Sequence, residues 1–239
     1  MRLTLTHKTT VAPALLRIRL TSPSTLPTFR AGQYVVFNLR DQRGAFRRSY
    51  SIASPPGALH WDFYISLVDG GRGSTVLQHL SIGHPLKAKP PMGIFTLQPP
   101  PGDRLVLIAT STGVVPYRSM SPQLQRYLEA GHPVSLLQGV RRADRLLFRD
   151  HWYQLLSSHD NFEYIPCLSR PQSPQECQRH GAIKGRVQTA LQRLPLLSQN
   201  NHYYLCGNPQ MIEETEQLLT QAGIDLDQII VEAFESPDA

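Results

Sequence analysis

"QPPPGDRLVLIATSTGVVPYRSM", residues 98–120, decides the fold, because the rhythm of the chain differs on its two sides. Its proline-rich start reads as a stiff connector. The apolar run RLVLIAT reads as a buried strand and the segment after STG as a helix. Downstream the same order recurs. PVSLLQGV (133–140) precedes FRDHWYQLLSSH (148–159), FEYIPCLS (162–169) precedes GRVQTALQRL (185–194), and YYLCG (203–207) precedes NPQMIEETEQLLTQAG (208–223). Strand, turn and helix in repetition predict a parallel sheet covered by helices, with ligands beyond the carboxyl ends of its strands. The turns ATSTG, LSR and CGNPQM are therefore where chemistry is expected. Upstream, YVVFNL (34–39), RSYSIAS (48–54) and LHWDFYISLV (59–68) alternate in polarity between Gly, Pro and Asp, the pattern of an antiparallel barrel or sandwich. The expected division is a β-barrel domain at 1–98, a linker at 99–103 and an α/β domain at 104–239.

The 239 residues are 41% hydrophobic and 18% charged, the balance of an ordinary globular protein with room for two domains. No apolar run approaches the ~20 residues of a membrane span, and the first residues lack the apolar core of a signal peptide, so the cytoplasm is the expected compartment. Cys167, Cys177 and Cys206 are odd in number and form no CxxC pair, and no HxxxH pair occurs. These patterns argue against a disulfide framework, an iron–sulfur cluster and a metal site. The net charge of +6 is unevenly spread: residues 1–101 carry twelve Lys and Arg against three Asp and Glu, and the remainder carries twelve against fifteen. A basic half suits polyanionic ligands or an acidic partner. Nucleic acid is not expected, since no basic helix or aromatic RNA motif is present.

Within the basic half, RRSYS (47–51) sets Arg48 and Tyr50 on one face of a strand, with Ser49 and Ser51 on the other. A guanidinium fork suits a diphosphate, a phenol ring suits a flat heterocycle, and a hydroxyl can hydrogen-bond a ring nitrogen. An edge strand with solvated arginines would look the same. GGRGSTVLQHL (70–80) then places Gly71 and Gly73 ahead of Ser74 and Thr75 at a helix start, where free N–H groups and the helix dipole receive anions. It is neither a P-loop nor a complete GxGxxG. Two anion-receptive features ahead of a nucleotide-type α/β domain favour a cofactor with a planar ring and two phosphates.

The ordered set FRAGQYVVF, RRSYS, GRGST, MGIFTL, ATSTGVVPYRSM, LSR, YYLCGNPQM and VEAF resembles the ferredoxin-NADP(+) reductase superfamily over nearly the whole chain. The resemblance implies an FAD-binding barrel followed by an NADP(H)-binding domain. It implies that Arg48 holds an FAD phosphate, Tyr50 stacks on the flavin and Ser51 hydrogen-bonds near its N5, with Ser49 beside them. Gly73, Ser74 and Thr75 would make the second phosphate contact, and Phe234 would cover the flavin. Thr112 and Gly113 would form the turn before the helix under the pyridine nucleotide, and Cys206, at a strand end before Gly207, would lie beside the nicotinamide, with Ser51, Cys206 and Glu232 shaping the catalytic pocket for hydride transfer to flavin N5. Electrons would then pass singly to an acidic carrier such as ferredoxin or flavodoxin.

Choice of nucleotide rests on LSRP (168–171), where Ser169 and Arg170 suit a 2′-phosphate and no acid follows the strand to hold ribose hydroxyls. Lys184 and Arg186 add positive charge, so NADPH is expected over NADH. Two departures stand out. Ala109 and Ser111 occupy positions where plant-type members have glycine, so side chains are expected to intrude on the pyrophosphate path, and five residues continue beyond Phe234. Alternatives are a free-flavin reductase, an electron-transfer subunit of a multicomponent enzyme, and an α/β-hydrolase using Ser111 in the A-x-S-x-G turn, with Asp150, Asp160, His180 or His202 as partners.

Overall fold

The computed structural model describes residues 1–98 and 103–234, so most of the expected linker lies outside the described residues. Two compact units emerge, one from residues 1–97 with 115–121 and one from residues 98, 103–114 and 122–234.

The first unit is a six-stranded antiparallel sheet in the order β4-β3-β6-β1-β2-β5. Its strands are β1 (Arg2–Ala12), β2 (Leu15–Thr21), β3 (Tyr34–Asp41), β4 (Gly44–Ser51), β5 (Trp61–Ser66) and β6 (Pro85–Ala88), with helix α1 (Arg72–His79) between β5 and β6. Alternation of buried and solvated positions along β2 and β3 sends Leu16, Ile18, Val35 and Phe37 inward, which is the period-2 signal of a half-buried strand. Phe37 and Phe63 meet edge to face at 5.1 Å in the middle of this core. The β3–β4 hairpin is closed at Asp41, whose Oδ1 accepts the Arg43 N–H at 2.9 Å across the turn.

The second unit is a six-stranded sheet in the order β10-β9-β8-β7-β11-β12, every pair parallel. Its strands are β7 (Arg104–Thr110), β8 (Val134–Val140), β9 (Phe162–Leu168), β10 (Ile183–Lys184), β11 (Asn201–Gly207) and β12 (Ile229–Ala233). The connecting helices are α2 (Val115–Glu129), α3 (Arg149–Ser158), α4 (Pro174–Arg179), α5 (Val187–Arg193) and α6 (Pro209–Gln221). All seven residues of β8 are buried, Ser135 and Gln138 included, as expected for a strand covered on both faces. Helix α6 starts on Asn208, whose side chain accepts the Met211 N–H, with Pro209 at the first helical position. Pro122 lies inside α2 and removes one helical hydrogen bond at the point where the chain passes between the two units. No helix among the described residues is long and apolar enough to cross a membrane.

Candidate functional site

In the barrel unit, strand β4 pairs with β3 so that Arg48 stands opposite Phe37 and Tyr50 opposite Val35. Alternation along β4 leaves Arg47 and Ser49 exposed while Phe46, Arg48 and Tyr50 are half-buried on the other face, and Ser51 is buried at the strand's end. The Tyr50 ring lies 5.3 Å from Phe37. Burial pushes its phenol up to about 12, so it stays neutral. Arg48 donates to the Arg47 carbonyl and lies over Phe46.

The start of α1 sits directly on this pair. A Cβ on Gly73 would be 3.0 Å from the Tyr50 hydroxyl and 3.3 Å from Arg48 Cγ, so glycine here sets how closely the helix start approaches the strand. No side chain caps α1, which leaves the N–H groups of its first turn for an outside acceptor. Buried Ser74 accepts the Val68 N–H through Oγ and retains its own proton to donate. Thr75 spends its hydroxyl proton on the Gly71 carbonyl, so only an acceptor role remains for that oxygen.

Three residues the sequence did not single out fix the arrangement. Arg72 makes two hydrogen bonds to Asp41, at 2.7 and 2.6 Å, and its guanidinium lies 4.1 Å over the Phe46 ring. The bond to Arg72 holds the Asp41 carboxyl down to about 2. An unpaired helix start, a guanidinium, a neutral phenol ring and a glycine contact fit a dinucleotide carrying a flat ring.

In the α/β unit, the carboxyl ends of β7, β8, β9 and β11 border a cleft of about 460 Å³. Ser169 and Arg170 line it, as does Arg186. Arg141, at the end of β8, was missed although it follows the same strand-end rule. Neither Arg141 nor Arg170 is ion-paired with an acidic side chain among the described residues. Lys184, exposed on the edge strand β10 opposite Leu168, does not line the cleft. No acid follows β9 at Ser169 and Arg170, but Glu214 lines the cleft from α6. Its signal was only the i, i+4 pairing with Gln210 on one helix face.

Thr112 and Gly113 are buried in the turn after β7 and lie outside the cleft lining. Gly113 abuts β11: a Cβ there would collide with the carbonyl oxygen of Cys206 and lie 2.6 Å from its carbon. Gly207 backs onto Thr110, whose Oγ1 accepts the Asn208 N–H at 3.1 Å. Cys206 is fully buried. Burial, with Glu232 beside it, pushes its thiol well up, and the two residues stand side by side in the β11–β12 pair. Half-buried Phe234 donates its N–H to the Gly207 carbonyl at 2.7 Å.

The expected intrusion on the pyrophosphate path divides between its two residues. Ala109 is fully buried inside β7, so it does not reach the cleft, whereas Ser111 lines it in a left-handed conformation with φ 51°. A hydrolase triad is not assembled around Ser111. No histidine or aspartate lines the cleft among the described residues. His202 pairs with Leu105 at the amino end of the sheet, roughly 20 Å along the strands from Ser111 at 3.3 Å per residue.

Residues 2–97 match the oxidoreductase FAD-binding domain family and residues 107–217 the oxidoreductase NAD-binding domain family. The ferredoxin–NADP reductase B of Sorangium cellulosum is 33% identical over 213 residues, covering 87% of this chain and 86% of its own. The ferredoxin–NADP reductase of Pseudomonas aeruginosa is 30% identical over 209 residues, covering 83% and 81%. Among solved structures, the Amycolatopsis cytochrome P450 reductase GcoB superposes with a TM-score of 0.85 at 25% identity, over 100% of this chain and 71% of that one. A two-domain chain with a β-sheet unit and a strand-end cleft in its α/β unit, matched on both halves, belongs to the ferredoxin-NADP(+) reductase superfamily of FAD- and NAD(P)-binding electron-transfer oxidoreductases.

Proposed function

We propose that this oxidoreductase passes electrons between NADP(H) and a one-electron carrier protein of the ferredoxin or flavodoxin type. The observation that carries the reading is the strand-end cleft holding Ser169, Arg170 and Arg141, in a chain whose barrel sets Arg48 and Tyr50 against an uncapped helix start.

Bound FAD would supply the redox chemistry, accepting a hydride at N5 and releasing electrons singly. The chain supplies binding and alignment. Arg48 meets phosphate oxygens with a charge-assisted fork, and the first-turn N–H groups around Gly73 and Ser74, with Thr75 following, meet the remaining negative charge. Tyr50 offers a ring that stays uncharged at physiological pH. Ser49 flanks this group and buried Ser51 donates a hydroxyl. In the other unit, Ser169, Arg170 and Arg141 take the phosphate of the adenosine ribose, with Arg186 beside them, and Lys184 adds only distant positive charge. Thr112, Gly113 and Gly207 form the turn on which the nicotinamide end lies. Cys206 acts there as a neutral thiol, Glu232 as the charge partner and Phe234 as the aromatic cover.

The acceptor assignment draws on two facts. Two of the relatives are named ferredoxin–NADP reductases, and residues 1–101 carry a large positive excess suited to an acidic carrier. The unpaired cysteines suit a reducing compartment such as the cytoplasm. A second reading, an electron-transfer subunit feeding an oxygenase, is favoured by the likeness to a cytochrome P450 reductase.

Anaerobic titration of the purified FAD-loaded protein with NADPH tests the reading. Bleaching by NADPH followed by reoxidation on adding ferredoxin or flavodoxin supports it. Turnover with free riboflavin alone assigns a free-flavin reductase, and protein that NADPH does not bleach assigns neither.

A further inference from the structure

The cleft at the carboxyl ends of β7, β8, β9 and β11 contains a fixed anion among its cations. Both carboxylate oxygens of Glu214 accept from one nitrogen of Arg186, each at 3.1 Å. Gln210 donates to Oε1 at 2.8 Å, and Gln188 to Oε2 at 3.3 Å. Gln188 is itself anchored, since the same amide nitrogen reaches the Met211 carbonyl and the Thr215 hydroxyl. Glu214 is therefore held by donors from two helices and the turn before one of them, and its side chain is 35% exposed. It is a built feature of the wall.

This arrangement divides the three arginines of the cleft. Arg141 and Arg170 face it without an acidic partner among the described residues, while the charge of Arg186 is already matched. A dianionic phosphate drawing on Arg186 must compete with a carboxylate that holds the guanidinium and repels the phosphate. A ribose hydroxyl meets no such penalty, because a carboxylate readily accepts a hydrogen bond from it.

We infer that Glu214 is a specificity-determining residue: it withholds Arg186 from the 2′-phosphate of NADP(H) and keeps the cleft open to nucleotides that lack this phosphate. The inference rests on the reading above that the cleft receives the adenosine-ribose end of the nucleotide. Preference for NADP(H) over NAD(H) then comes from Arg170 and Arg141 and is smaller than three arginines would give.

Calorimetric titration of the FAD-loaded protein with 2′,5′-ADP and with 5′-AMP tests it without any turnover. The variants are Glu214→Gln, Arg186→Gln and the pair together. Glu214→Gln keeps the length of the side chain and removes its charge. The expected result is a several-fold, up to about tenfold, tightening of 2′,5′-ADP in E214Q, with less than a twofold change for 5′-AMP. Arg186→Gln costs little alone and abolishes the gain when combined with E214Q. Equal 2′,5′-ADP affinity in E214Q and the parent overturns the inference, and if the parent still prefers 2′,5′-ADP the NADP(H) reading survives. If the parent and E214Q both bind the two probes equally, the inference and the reading fall together.

Discussion

Gly113 rests against the backbone of Cys206 so closely that a single added methyl would collide with its carbonyl oxygen. The turn after β7 and the end of β11 are thereby set at a spacing only glycine permits. Both strands end together at the mouth where nucleotide chemistry is proposed. Gly113→Ala is expected to destabilise the folded chain by about 1–3 kcal/mol, the range for overpacking a dense contact. A fall in the urea midpoint with unchanged slope checks it.

The alternation along β4 separates two neighbouring arginines by role. Arg48→Ala is expected to weaken FAD retention by roughly 10- to 100-fold, the loss of a charge-assisted hydrogen bond to phosphate. Arg47→Ala, on the exposed face, should alter it less than threefold. Fluorescence quenching of FAD on titration with apoprotein separates them.

The Asp41–Arg72 pair clamps the hairpin to the start of α1, and its acid limb is calculable in sign. Asp41 holds its proton only below about 2 in the folded chain, against 3.8 ordinarily. The unfolded chain therefore takes up the proton first as pH falls. The stabilisation is fully present above about pH 4 and is lost as pH falls toward 2. Asp41→Asn should thus lower the urea midpoint by a constant amount from neutrality down to about pH 4, with the gap from the parent closing below that. A gap independent of pH down to 2.5 would contradict the pairing.

Ser111 holds a left-handed backbone at the cleft, where a side chain costs about 1–2 kcal/mol and glycine costs none. Glycine adds roughly 0.5–1 kcal/mol of unfolded-state entropy. Ser111→Gly is therefore expected to match the parent in stability or exceed it by up to about 1.5 kcal/mol, and to bind NADP(+) at least as tightly. Thermal unfolding and nucleotide titration of the same sample read both effects.

What the linear sequence discloses and what it conceals follow from the range of the interactions. Strand and helix periodicity is local, so the antiparallel and parallel sheets are legible, as is the alternation that puts Arg48 with Tyr50. Cleft residues immediately after a strand, such as Ser169 and Arg170, follow from one topological rule, and Arg141 obeys it equally. Glu214 does not, because it enters from the second turn of α6 and meets Arg186 across 28 positions of chain. Asp41 and Arg72 are 31 positions apart and meet only because a hairpin and a helix start converge. The burial of Ala109, set beside the half-buried Ser111 two positions on, depends on where β7 stops, and the sequence around them does not mark that point.

All three cysteines are buried and unpaired, and desolvation keeps the thiols of Cys167 and Cys206 firmly protonated. Catalysts that handle electrons in air generate peroxide within reach of their own atoms, and peroxide attacks sulfur chiefly as exposed thiolate. Cys167 and Cys206, buried and protonated, are expected to be sulfenylated slowly. The thiol of Cys206, proposed to stand at the nicotinamide, is one that burial keeps dry.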